Sequence, residues 1–294
     1  MTRQETARSR AAPVRTVGEM AGRFDADHVA AFFDSYGDRE WDRHDGTPAQ
    51  RTSFAMHCRF LAEFVSSGDL VLDAGAGPGR FTIELARLGA RVHVSYISKA
   101  QLELNRQRIQ EAGVAEAVVA TERLDICDLS DLPSNRFDVV VCFGGPLSYV
   151  RDDAPRALAE LVRVTRPGGH LLLSVMSMAG AMRTFLAAVL DEHRRYGPAH
   201  TEQILRTGDL DRNTNNGHEM RMYRWIELAA LCSPHGEIVR AAAANYLTAT
   251  PDPTILNELT EQEWQDLLSW EQRLCYEPGV LDAGTHMIVA LRPS

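Results

Sequence analysis

Apolar residues recur along this chain in two rhythms, one every three to four positions and one in short unbroken runs. The first rhythm opens the readable part of the chain. Val29, Phe32, Phe33 and Tyr36 share one face of a predicted helix. Gly37 to Pro48 reads as a polar connection holding Trp41. A second helix is predicted from about Ala49 to Val65, with Phe54, Cys58, Leu61 and Val65 on one side, and Gly68-Asp69 ends it. Short apolar runs then alternate with helix-periodic segments, the pattern of βαβ units. Strands are predicted at 70–74, 91–97, 117–126, 137–143 and 170–176, with helices at 80–88, 99–111 and 155–164. The run Val139 to Cys142 is continuously apolar, as suits a strand covered on both faces.

The alternation lapses after Met176. Residues 177–222 hold one apolar helical stretch, Met182 to Leu190, and a polar segment, Gly208 to Gly217. It resumes with a helix at Trp225 to Cys232, a strand at Glu237 to Thr248 and a helix over 254–276, whose apolar positions are Trp264, Leu267, Leu268, Trp270 and Leu274. A last strand spans Thr285 to Leu291. The predicted organisation is a mobile tail over 1–22, a helical lid over 23–67 and one large domain over 68–294. Within that domain, 177–222 form a cap insertion and 251–279 a helical insertion.

Composition narrows the class. An apolar content of 45% in 294 residues supports a sizeable core. The net charge of −9 and the lack of any basic run beyond Arg194-Arg195 argue against nucleic acid as a partner. The longest mostly apolar run, Leu171 to Met182, is too short to span a bilayer, and no apolar segment follows the Arg-rich N-terminus as a secretory signal would. Five scattered cysteines without C-x-x-C spacing point to reduced thiols, a cytoplasmic setting and no zinc site. Nothing in the chain indicates an oligomer.

The chemistry lies in Leu70-Val71-Leu72-Asp73-Ala74-Gly75-Ala76-Gly77-Pro78-Gly79. A strand, three alternate glycines and a helix make a nucleotide-binding corner. A dinucleotide fingerprint needs its third glycine at the position held here by Arg80, and a P-loop needs the absent Gly-Lys-Ser/Thr. The run resembles instead the first motif of class I S-adenosylmethionine-dependent methyltransferases, whose turn passes under the methionine part of the cofactor. Further matches follow in order. Asp125-Ile126 before Leu132-Pro133 resembles the adenine-contacting loop, Phe137-Asp138 through Cys142 and Gly144 the fourth-strand motif, and Arg163 to Gly169 the run before strand five. The likeness covers about residues 69 to 176, with weaker agreement beyond.

This resemblance implies an α/β fold: a Rossmann-like, seven-stranded, mainly parallel sheet with helices on both faces, an N-terminal helical lid and an insertion after strand five. It assigns to S-adenosylmethionine the residues Asp73, Ala74, Gly75, Gly77, Gly79, Arg80, Tyr96, Ile97, Asp125, Ile126, Cys142 and Gly144. One position departs. Where the family carries an Asp or Glu that accepts both ribose hydroxyls, this chain has Tyr96, whose single phenolic oxygen cannot make that clasp. Stacking of Tyr96 on ribose or adenine, an altered cofactor preference and a non-methylating role all stay open.

The implied reaction is in-line transfer of a methyl group to O or N, less readily C, of a small molecule. Positioning and exclusion of water dominate such a transfer, and a base is needed only if the acceptor must lose a proton. Gly144-Gly145-Pro146-Leu147 differs from Asn-Pro-Pro-Tyr/Phe, which disfavours nucleic-acid or glutamine amine acceptors. Acceptor-site candidates are Tyr36, Arg39, Trp41, Tyr149, Met176, His218 and Tyr223, with His218 the candidate base and Tyr149 its neighbour in catalysis. Tyr36 and Tyr149 serve equally as packing residues, Met176 and Met178 as adaptable lining or core filling, and His57 reads as a partly buried packing residue.

Overall fold

The computed structural model describes residues 24–42, 46–215, 217–250, 252 and 254–294. The tail expected over 1–22 lies outside the described residues. The chain opens with α1 (Ala26–Tyr36), capped by the Asp25 side chain, which accepts from the His28 N–H. A single turn, α2 (Arg39–Asp42), interrupts the expected polar connection and carries a buried Glu40. Then comes α3 (Pro48–Phe64), started by the Thr47 cap and Pro48 at its first turn.

The core follows as β1 (Leu70–Ala74), α4 (Arg80–Arg87), β2 (Arg91–Tyr96), α5 (Lys99–Glu111), β3 (Val118–Arg123), β4 (Phe137–Cys142), α6 (Pro146–Tyr149), α7 (Ala154–Val164) and β5 (Thr165–Met176). Strand β3 stops three residues short of the expected span. Asp125 turns the chain there, its carboxylate accepting the Cys127 N–H at 2.9 Å.

The insertion holds three helices where one was expected: α8 (Met178–Thr184), α9 (Leu186–Tyr196) and α10 (Pro198–Thr207), then a small hairpin of β6 (Asp209–Leu210) and β7 (Met220–Arg221). Its breaks are local. Gly197 at φ +84° ends α9, Pro198 starts α10, and Gly208 at φ +77° ends it. Last come α11 (Trp225–Cys232), β8 (Gly236–Ala243), α12 (Glu261–Leu274) and β9 (His286–Pro293).

Strand β8 is five residues shorter at its end than the periodicity predicts. The buried Glu271 carboxylate of α12 takes the backbone N–H groups of Tyr246, Leu247 and Thr248 and so draws the chain off the sheet. Helix α12 itself starts late, at a Thr260/Glu263 capping box, and Trp270 on it is exposed.

The sheet order is β3-β2-β1-β4-β5-β9-β8. The first five strands are parallel and β9 runs antiparallel between β5 and β8. Two apolar cores lie on its two faces. Helix α1 is clamped to the β2–α5 corner: the Asp34 carboxylate accepts from the Ser98 hydroxyl at 2.5 Å and the Ala100 N–H at 3.1 Å. The Gln101 amide donates to the carbonyls of Phe33 and Gly37. The carboxyl ends of the strands therefore face a space roofed by α1, α2, α3 and the cap.

Candidate active site

The glycine turn is tied down from both sides. The N–H groups of Gly75 and Ala76 both donate to the Ser95 carbonyl of β2, at 2.9 and 3.1 Å. The Asn105 amide of α5 donates to the Gly77 carbonyl at 3.1 Å. A side chain on Gly75 would meet Pro146 Cγ at 2.3 Å, so this glycine lets the loop after β4 close onto the turn. Gly77 is different. Added bulk there would touch only Glu40, at 3.7 Å, and would fill the cleft itself.

That cleft encloses about 700 Å³ of open space, mouth included. Gly75, Ala76, Gly77, Tyr96, Asp125 and Gly144 are among its walls, with Val29 and Phe33 of α1 and Glu40 of α2 forming the roof. Phe33 meets Tyr96 and Tyr149 edge-on, with ring centroids 5.7 and 5.1 Å apart. Arg80 stacks over the Trp41 indole at 3.9 Å and donates to its carbonyl at 3.2 Å. An elongated cleft with bare backbone at Gly77, aromatic walls and carboxylates at Glu40 and Asp125 suits a cationic adenosyl compound. Burial raises Asp125 above the usual carboxylate range despite its bond from Cys127.

Of the cofactor residues expected from sequence, Gly75, Gly77, Arg80, Tyr96, Ile97, Asp125, Ile126 and Gly144 line this cleft. Asp73, Ala74, Gly79 and Cys142 do not. Asp73 is buried beneath the turn, where it accepts the Thr82 hydroxyl at 2.6 Å, and burial pushes its carboxyl up to about 7. Gly79 packs on Asn105. Cys142 is core, and burial pushes its thiol up to about 12.

A second cleft adjoins the first across Phe81, Gly144 and Tyr149, which line both. It holds about 1370 Å³ of open space. Two of its histidines have one ring proton placed by their neighbours. His57 Nδ1 lies 2.7 Å from the Ser53 carbonyl, which can only accept, so Nδ1 carries a proton. Thr285 donates both its N–H and its hydroxyl to Asn245 Oδ1, at 2.7 and 3.0 Å. Its oxygen is thereby left to accept from His286 Nδ1 at 3.3 Å, with the same consequence for His286. The Asn245 amide closes the relay by donating to Ala49 at 3.1 Å. Two hydroxyls in this cleft, of Thr184 and Thr248, are buried, and neither finds a partner among the described residues. Such groups are what a polar ligand would satisfy.

Of the residues expected at the acceptor site, Tyr36, Tyr149, Met176 and His218 line the second cleft. Arg39, Trp41 and Tyr223 line neither. The Arg39 guanidinium turns back onto the Tyr36 ring and carbonyl, and Trp41 supports Arg80 from behind. Tyr223 follows Met222 in extended backbone, so its ring falls on the opposite side, in the other core, where burial pushes its phenol up. His57, Asn245, Thr248 and His286 also line the second cleft, although the sequence pattern marks His57 only as a packing residue and the other three not at all. The polar string Asn245, Thr248, Thr250 was the one available signal.

All five cysteines are free. Among the described residues no group of three or more His, Cys, Asp or Glu is placed to hold a metal ion, and no helix is long and apolar enough to cross a membrane.

Residues 71–169 match a family described as a methyltransferase domain. Over 198 residues the chain is 31% identical to a ubiquinone biosynthesis O-methyltransferase of Alkalilimnicola ehrlichii, covering 63% of this chain and 75% of that protein. Over 137 residues it is 27% identical to an S-adenosyl-L-methionine-dependent Diels-Alderase of Neonectria sp., covering 46% of this chain and 50% of that one. The fold is similar to that of magnesium protoporphyrin IX methyltransferase from Synechocystis PCC 6803, solved with bound S-adenosylhomocysteine. The TM-score is 0.59 at 18% identity, covering 92% of this chain and 100% of that one.

Proposed function

This chain belongs to the class I S-adenosylmethionine-dependent methyltransferases, and from that premise we propose that it methylates an oxygen or nitrogen of a small molecule held in the second cleft. The observation that carries the reading is the junction at Phe81, Gly144 and Tyr149, where the two clefts meet. S-adenosylmethionine, when bound, supplies an electrophilic methyl group on a sulfonium. Gly75, Gly77, Asp125 and Ile126 hold the cofactor, and its amino-acid end lies toward the wall that carries Arg80 and Glu40.

The chain's own part in catalysis is orientation and exclusion of water. Phe33, Tyr149 and Phe143 wall the junction with aromatic rings. His57 is the proposed proton acceptor, taking a proton from the acceptor's hydroxyl or amine at Nε2. Its ring packs 5.4 Å from Phe81 and 4.9 Å from Phe143, both walls of the cofactor cleft. His218, the candidate from sequence, is the weaker choice. Its ring packs closest on Phe32, at 4.3 Å, and lies 6.2 Å from that of Tyr149, farther than His57 from Phe81 and Phe143.

A second reading rests on Tyr96: without a carboxylate at the end of β2, the domain holds its cofactor for a non-methylating reaction. The two readings part on one assay. With methyl-labelled S-adenosylmethionine and a panel of phenols, catechols and amines, the first expects label in the acceptor and S-adenosylhomocysteine released. His57→Gln should then lower kcat by about 10²–10⁴ while leaving S-adenosylhomocysteine affinity unchanged. Cofactor binding with no label transferred to any acceptor would favour the second.

A further inference from the structure

The cap encloses a third cavity, of about 980 Å³ of open space, mouth included. Met176, Met182, Phe185, Val189, Met220 and Met222 are among its walls. Four of the chain's nine methionines thus line one chamber. Thioether side chains are flexible and polarisable, and they fit apolar shapes that vary.

Two further observations say that the chamber takes a ligand. The first is helix α9, which contributes Ala188, Val189 and Glu192 to the wall and has no fully buried residue along its length. Phe185, at its start, is 51% exposed although it faces the cavity. An amphipathic helix is normally held by an apolar face packed on its neighbours. Here that face looks into open space. The second observation is continuity: Met176, Phe185, His218 and Met220 line both this chamber and the second cleft. Cofactor cleft, acceptor cleft and chamber therefore stand in series, with the methionines gathered at the far end.

We propose that the chamber receives the apolar arm of the acceptor, so that the substrate is an amphiphile: a polar head at His57 and Thr248, joined to an uncharged alkyl or aryl arm that passes His218 and lies among the methionines. This rests on the reading of the second cleft as the acceptor site. His218 then stands at the neck as a positioning residue, which accounts for its place between the two cavities. The open face of α9 is covered when the arm is bound.

The test uses 4-n-alkylphenols from methyl to octyl as probes, titrated by calorimetry into the full chain saturated with S-adenosylhomocysteine. Affinity is expected to rise about fourfold per methylene until the chamber is filled. Ala188→Trp, an exposed position on α9 that points bulk at the wall, should flatten that dependence while leaving the affinities for 4-methylphenol and S-adenosylhomocysteine unchanged. Val189→Asp, which places a charge on the lining, should do the same. An affinity independent of chain length, no binding of any member, or a slope that both variants leave intact would overturn the proposal. Failure of S-adenosylhomocysteine to bind is a separate result that strikes the methyltransferase reading instead, because the alkyl series can be run without it.

Discussion

Arg151 and Glu219 form an ion pair buried on both sides, with the two side chains 3% and 7% exposed. Arg151 follows α6 at φ +49°, a left-handed conformation uncommon outside glycine. Glu219 precedes β7 in the cap. Arg212 joins from the same hairpin loop, its Nε 2.8 Å from the other Glu219 oxygen, and also reaches Asp25 at the start of α1, at 3.4 Å. One carboxylate therefore ties together the loop after β4, the cap and the N-terminal helix.

Removing one partner of such a pair strands the other charge away from water. Glu219→Ala is expected to cost about 3–5 kcal/mol of stability. Arg151→Ala should cost less, because Glu219 keeps its pair with Arg212, and the double variant should cost less than the sum of the two. Urea denaturation of the three variants gives the coupling. Additive costs would mean that the two residues do not act as a pair.

Gly75 tests how the turn is built. At φ +84°, with Pro146 Cγ 2.3 Å from any added methyl, Gly75→Ala combines backbone strain with a clash. The expected loss is roughly 3–5 kcal/mol. Pro146→Ala in the same chain removes the Cγ contact and should restore part of that loss, since the strained φ remains. No recovery would show that the strained φ and the remaining Cβ contact at 2.9 Å, and not Cγ, require glycine here.

Asp73 gives the fold a pH dependence of definite sign. Its carboxyl titrates near 3.8 in the unfolded chain and is raised to about 7 by burial in the folded one. Between those values the folded state holds a proton that the unfolded state has released. Its contribution is complete below about pH 4 and is lost as pH rises through about 7. Relative to Asp73→Asn, the wild type should therefore lose up to about 4 kcal/mol between pH 4 and 8. Parallel stability profiles for the two chains across that range would remove Asp73 as the source.

The cofactor cleft was legible because its residues are neighbours in sequence. A strand, a turn at Gly75 and Gly77 and a helix form wherever they are written, and the Asp125-Ile126 turn is as local. The second cleft was hidden because it is assembled by the sheet. Strand β9 inserts beside β5 so that His286 pairs with Met176 across 110 positions, and α3 brings His57 to within 6.1 Å of His286, ring to ring. Helical spacing shows that His57 shares a buried face but not whether that face meets core or cavity. Tyr223 was misplaced for a simpler reason: in extended backbone a shift of one residue exchanges sides. Met222 took the chamber and Tyr223 the core.

Position 96 separates the two functional readings most sharply. Tyr96 is nearly buried, its ring set edge-on to Phe33, and it lines the cofactor cleft at the end of β2. Tyr96→Asp removes that ring and supplies a carboxylate able to accept two hydroxyls; Tyr96→Ala removes the ring and supplies nothing. Both variants should lose about 2–4 kcal/mol of stability through lost packing. Their affinities should diverge. If the adenosyl ribose lies against this position, Tyr96→Asp gains a charge-assisted bond pair worth roughly 1.5–3 kcal/mol and binds S-adenosylmethionine about ten- to a hundredfold more tightly than Tyr96→Ala. It should also bind more tightly than the wild type, whose phenol offers one oxygen. Calorimetry with S-adenosylmethionine on all three chains reads the difference directly. Equal affinities for the Asp and Ala variants would mean that the ribose does not meet position 96.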